Sequence, residues 1–217
     1  MRALVSKAAA LAVMAAAVLL TGCATQPAAK RDLSAFNAAK PRSILVVPAA
    51  NKSLDVDAPN YLLTTLTVPL AERGYYVFPV HTAKTVLEQE GFYDGDQVQK
   101  QPPEALARLF GADAVLFVTI NRWDAQYAVV STTVTVDFDY RLVSKDGTEL
   151  WKANKKMQYT PQQQNTGSVI GNLVAAAVSA ALERAKPNYM PLAQSANLQV
   201  LTMEPTSIPV GPYARAN

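Results

Sequence analysis

The chain has 217 residues, 50% of them hydrophobic, with 20 Lys and Arg against 17 Asp and Glu, one Cys and one His. That length and apolar share suit one sizeable core and not a disordered segment. A formal charge of +3 is too small to mark a nucleic-acid partner, and a lone cysteine cannot form an internal disulfide.

Arg2 and Lys7 open the chain, Ala8 to Leu20 is uninterrupted and apolar, and Leu20-Thr21-Gly22-Cys23 follows. This layout predicts a cleaved lipoprotein signal over residues 1–22, because a spanning helix needs about 20 apolar residues. Small Thr21 and Gly22 let the chain enter a peptidase site. The Cys23 thiol accepts a diacylglyceryl group before cleavage frees its amine for a third acyl chain. One acyl chain binds a membrane only marginally, and stable anchoring takes two or more. Loss of Arg2 and Lys7 with the signal takes the formal charge from +3 to +1, so the apparent basicity is mostly signal. Ala24, and not Asp, follows the cysteine, so inner-membrane retention is not signalled. The expected location is the outer membrane, with the domain facing the periplasm or the surface.

Residues 23–42 are rich in Ala, Lys, Gln and Ser and read as a lipidated tether. A single α/β domain is expected over 43–200. Ile44 to Pro48 is an apolar run of the kind that is buried on both faces of a sheet. Asp57 to Arg73 has Tyr61, Leu62, Thr65, Leu66, Pro69 and Leu70 at helical spacing, with Gly74 closing it and Pro69 shortening or kinking the last turn. Tyr75 to Val80 predicts a second buried strand. Thr82 is placed to cap a helix from Ala83 to Glu90 that stops at Gly91. Pro102-Pro103-Glu104 opens a short helix with Leu106, Leu109 and Phe110 on one side, ended by Gly111. Ala114 to Ile120 is the third buried strand, completing a β-α-β-α-β run with parallel pairing.

The pattern then changes. Between Tyr127 and Leu142, Val130, Thr132, Val134, Val136, Phe138, Tyr140 and Leu142 alternate with Ser131, Thr133, Thr135, Asp137, Asp139 and Arg141. That is a half-solvated antiparallel strand. Lys145-Asp146-Gly147-Thr148 supplies a hairpin turn, and Glu149 to Tyr159 returns as its partner. The fold class is therefore α/β, a mixed sheet with three parallel-type strands and an antiparallel hairpin, with helices on the sheet. Thr166 to Ala185 predicts the longest helix. After Pro187 the chain reads as irregular, with Tyr189, Met190 and Leu192 docked, and 201–217 as a loose tail.

No catalytic constellation, cofactor loop or metal-ligand set stands out. His81 is the sole histidine and reads as a loop residue after the second strand; no Gly-x-Ser-x-Gly elbow or phosphate-binding glycine loop follows a strand. Asp94-Gly95-Asp96 is a weak cation signal and reads as an acidic turn. Two features remain as binding candidates. Gly167, Gly171, Ala175 and Ser179 place small residues on one helix face, which suits either close packing on the sheet or self-association. The polar face between Tyr127 and Arg141 is either an ordinary solvated surface or an edge that accepts another chain.

The segments Ser43 to Ser53, Pro69 to Val80 and Phe110 to Thr119 resemble the hallmark segments of a lipoprotein family of Gram-negative bacteria that includes a meningococcal surface antigen. The resemblance runs from the lipobox to about Ala185. It implies a domain similar to the N-terminal domain of TolB, often dimeric, and encoded beside a lipoprotein similar to the secretion channel CsgG. The function it implies is a non-enzymatic, protein-binding component of an envelope assembly or transport complex, without cofactor. Cys23 alone carries over as a functional position. A CsgG-like pore subunit, its Tyr127 to Tyr159 hairpin inserted in the bilayer, is the rival. A small-ligand-binding or enzymatic domain is the third reading.

Overall fold

Ile44 and Val46 pack into one apolar layer and Leu45 and Val47 into another, and all are buried, so this short stretch anchors both faces of a sheet. The structure is a computed structural model and describes residues 31–128, 131–159 and 189–215. Three strands, β1 (Ser43–Val46), β3 (Tyr76–Val77) and β4 (Ala114–Ala128), run parallel. The antiparallel strands β5 (Ser131–Ser144) and β6 (Glu149–Tyr159) follow, giving the spatial order β3-β1-β4-β5-β6. Beyond a break at Pro48, β2 (Ala50–Asn51) also pairs with β4 in parallel, Ala50 opposite Thr119. The mixed sheet and its hairpin are those the alternation predicts.

The helices among the described residues are α1 (Ser34–Ala39), α2 (Ala58–Glu72), α3 (Val80–Gln89), α4 (Gly95–Gln99), α5 (Pro103–Phe110) and α6 (Met190–Thr202). One core joins Ile44, Leu116, Ile120 and Phe138 to Phe36 of α1, Leu62 and Leu66 of α2, and Leu192 and Val200 of α6. The second joins Leu45, Val115 and Phe117 to Leu87, Val98 and Leu106 of α3 to α5. Each fully buried Val, Leu or Ile contributes about 1.5–3 kcal/mol. Along β5, Val134, Val136, Phe138, Tyr140 and Leu142 are buried on one face, whereas the other carries exposed Asp139 and Arg141 before Val143 joins the second core.

Several expectations need correction. Tyr75 to Val80 yields a two-residue edge strand, with Tyr76 exposed, because Pro79 starts α3. Thr82 therefore lies inside α3 and caps nothing, and His81 is an exposed residue of its first turn. Pro69 is accommodated within α2, which runs on to Glu72; Gly74, at φ +94°, then ends it. On α5, Leu109 faces solvent and Ala107 takes its place in the core. Tyr127 and Ala128 belong to β4 and not to the strand after them, since β4 continues well past Ile120.

The termini depart most. Within the expected tether, α1 packs Phe36 edge-on against Tyr75, ring centroids 6.5 Å apart. Beyond Pro187 the chain is not irregular: α6 buries Leu192, Ala193, Ala196, Val200 and Leu201 completely. The segment expected as a loose tail is tied down. Gly211 N–H donates to Arg73 O at 2.8 Å, Tyr213 N–H to Gly74 O at 3.0 Å, and the Tyr75 hydroxyl to Pro209 O at 2.7 Å. Ile208 is 1% exposed, and Trp151 donates its indole N–H to Thr206 O at 2.9 Å. Proline removes backbone donors but not acceptors, so the segment can be held through its carbonyls.

Candidate functional site

The break in the first strand creates the site. Pro48 and Ala49 leave the ladder between β1 and β2, and the Gln99 side-chain amide fills the gap, donating to Val118 O at 2.8 Å and Pro48 O at 3.3 Å. This ties α4 to the sheet. Its first residue, Gly95, lies against the Ala49 carbonyl so closely that a Cβ would collide with that oxygen, and only glycine permits the approach. Asp94 caps α4, accepting the Gln97 N–H at 2.8 Å. The acidic turn predicted at Asp94-Gly95-Asp96 is thus a helix start. Among the described residues no group of three or more His, Cys, Asp or Glu is arranged to hold a metal ion.

The loop from β2 to α2 forms the opposite wall. Asn51 donates to Asp55 O at 2.8 Å and accepts the Ser53 N–H at 3.0 Å and the Ser53 hydroxyl at 2.7 Å. Asp55 in turn accepts the Asp57 N–H at 2.9 Å. These bonds brace a loop that nonetheless projects Leu54 and Val56 into water, 101% and 83% exposed. Tyr93, 74% exposed, stands on the far wall. Between them lies a cleft of about 290 Å³ lined by Asn51, Val56, Asn60, Lys84, Tyr93 and Asp96, among others. It opens beyond the carboxyl end of β1, where α2 leaves on one face of the sheet and α3 to α5 on the other. Such crossing points are where open α/β sheets commonly place their binding sites. A larger hollow of about 660 Å³ lies between α2 and Val210, Tyr213, Ala214 and Arg215.

The open face of β4 to β6 is paired within itself. Asn154 donates to Asp137 at 2.9 Å and Asp139 at 2.8 Å, Asn121 donates to Asp139 at 2.6 Å, and the Arg141 guanidinium lies 4.7 Å from the Phe117 ring centre. On the covered face a buried chain links three elements. The Tyr140 hydroxyl donates to Asn197 Oδ1 at 2.5 Å, Asn197 donates to Thr65 Oγ1 at 2.5 Å, and Thr65 donates to Leu62 O at 2.6 Å. Burial holds the Tyr140 phenol well above its ordinary value, with the nearby Asp137 carboxylate adding to the rise.

Of the residues singled out in the sequence, Cys23, Gly167, Gly171, Ala175 and Ser179 lie outside the described residues, as does the helix expected from Thr166 to Ala185. None of the cleft's apolar residues was singled out. Leu54 and Val56 alternate with Ser53, Asp55 and Asp57, a pattern whose exposure shows only in the fold.

A family described as "Putative lipoprotein GNA1162-like" matches residues 31–213. The match takes in the segment after Met203 that the resemblance in the sequence left unassigned. The putative lipoprotein NMB1124/NMB1162 of Neisseria meningitidis serogroup B is 36% identical over 167 residues, covering 76% of this chain and 77% of that protein. The crystal structure of lipoprotein GNA1162 from Neisseria meningitidis superposes with a TM-score of 0.56 at 34% identity, over 66% of this chain and 100% of that one. A PelC dodecamer from Paraburkholderia phytofirmans is more remote, at TM-score 0.46 and 14% identity over 75% of this chain and 88% of that one. With its family matched from Arg31 to Tyr213, the chain belongs to the GNA1162-like lipoprotein family.

Proposed function

We propose that the protein is an outer-membrane lipoprotein, anchored by acylated Cys23, that works without catalysis as a protein-docking component of an envelope assembly or transport complex. The observation that carries this reading is the braced loop that holds Leu54 and Val56 out beside a cleft. Large apolar side chains exposed on a rigid loop mark interaction surfaces. The relatives are named as lipoproteins and carry no enzymatic name, which fits a binding role. No helix among the described residues is long and apolar enough to cross a membrane; the anchor in this reading rests on the Leu20-Thr21-Gly22-Cys23 motif. A bilayer-inserted hairpin fits less well: the apolar side of β5 is spent on the core, and its open side carries Asp137, Asp139 and Arg141.

Two measurements test the reading. Cys23→Ser should abolish acyl labelling and leave an unprocessed precursor; labelling that persists overturns the anchor. A photo-crosslinking residue at Val56 should join the lipidated protein to a discrete envelope protein, identified by mass spectrometry, whereas one at Lys152 on the open sheet face should not. Equal yields at the two positions, or none at Val56, overturn the docking surface.

A further inference from the structure

The cleft also has a charge. Asp94 and Asp96 line it, and Asp55 and Asp57 are the chain neighbours of Val56 on the opposite loop. The cation in its lining, Lys84, is paired with Glu88 at 3.2 Å. Asp94 is accounted for by its cap and Asp55 by its bond to the loop backbone. Asp57 makes no capping bond with its side chain, although it stands at the start of α2. Around these carboxylates stand Leu54, Val56 and Tyr93, all largely exposed. A surface that joins exposed aliphatic and aromatic groups to a net negative field favours an occupant with the complementary pattern. Resting on the docking reading above, we propose that the cleft receives a segment of a partner protein in which an aliphatic side chain is flanked by lysines or arginines. The apolar residue enters between Val56 and Tyr93, and the cations lie over Asp57 and Asp96. An anionic membrane surface is disfavoured by the same carboxylates.

The test uses the full lipidated protein in neutral phosphatidylcholine nanodiscs and three fluorescent peptides. One is Lys-Lys-Leu-Lys-Val-Lys-Lys, the second has Glu for every Lys, and the third keeps Lys but has Ser for Leu and Val. The first peptide should bind saturably and lose affinity at high salt, while its twins do not saturate. Leu54→Ser with Val56→Ser should weaken it by about tenfold or more, and Asp57→Asn with Asp96→Asn by a similar factor. Circular dichroism should be unchanged in both variants, because these side chains are exposed. Equal binding of the acidic twin, unaltered affinity in both double variants, or binding to anionic phosphatidylglycerol vesicles that matches the peptide overturns the proposal. Crosslinks from Val56 without a preference for the basic peptide refute only the charge assignment. Peptide binding without crosslinks in cells refutes the docking reading and not the chemistry of the cleft.

Discussion

Asn197→Leu probes the joint that locks α6 to the sheet. Asn197 is fully buried, and its amide is the link between the Tyr140 hydroxyl and Thr65. Leucine keeps the volume but removes both hydrogen bonds, each contributing about 1 kcal/mol net, and strands the Tyr140 hydroxyl without a partner. Thr65 keeps its own bond to Leu62 O, so one orphan results and not two. The sum is a loss of about 2–4 kcal/mol, or roughly 2–4 °C in Tm for each kcal/mol. Tyr140→Phe strands only the Asn197 carbonyl and should lose about 1–2 kcal/mol. The double variant removes both partners, so it should be more stable than the two losses added together by at least about 1 kcal/mol. Denaturant unfolding of the full chain, followed through buried Trp151, whose ring centre is 6.1 Å from that of Tyr140, measures all three. Losses that add to within about 0.5 kcal/mol would show that the Tyr140–Asn197 bond contributes nothing.

The same tyrosine sets an alkaline limit. A phenol ionises near pH 10 when unfolded, and burial raises Tyr140 and Tyr75 above that in the folded chain. Their contribution is complete below about pH 10 and is lost as pH rises toward the folded values, because only the unfolded state gives up the proton. Unfolding monitored by tyrosinate absorbance should therefore begin above about pH 10, and Tyr140→Phe should flatten the decline; a decline as steep as before contradicts the assignment. Gly95→Ala drives a Cβ into the Ala49 carbonyl and should cost about 1–3 kcal/mol. Hydrogen exchange should quicken in α4 while β4 stays protected, and an unchanged α4 argues against the tight approach. Val46→Asp sets an unpaired charge in a 0%-exposed position and should cost several kcal/mol; a cooperatively melting variant at wild-type temperature would mean that the strand is not buried.

How much of this fold is legible in the sequence depends on local regularity. β1 and the first half of β4 are readable because all but Ser43 and Thr119 are apolar, and β5 because Val134, Val136, Phe138, Tyr140 and Leu142 alternate without interruption. The second half of β4 is hidden by a bulge. Between Ile120 and Arg122 the register shifts, and the buried set moves from Leu116, Val118 and Ile120 to Trp123, an odd position. A pattern that changes phase does not read as one strand. α6 is obscured by Pro191, which a helix accepts in its first turn, and by Asn197, polar yet satisfied inside the core. The segment after Met203 reads as loose on its prolines, but Arg73 Nε donates to Ile208 O at 2.8 Å and the Tyr75 hydroxyl to Pro209 O. The cleft was out of reach because the β2–α2 loop, α3 and α4 meet only in the folded chain, and no local rule tells that Leu54 and Val56 stay in water.

The docking claim is tested most directly by the size of the complex that the protein enters. Envelopes from cells making the wild-type chain and the Leu54→Ser, Val56→Ser double variant are solubilised gently and sedimented side by side, with acylation of Cys23 checked in both. The wild-type protein should travel with a partner, and the double variant, equally acylated and folded, should sediment as a smaller species. An unchanged sedimentation profile in the double variant would contradict the account, because the loop would then expose its apolar residues without using them.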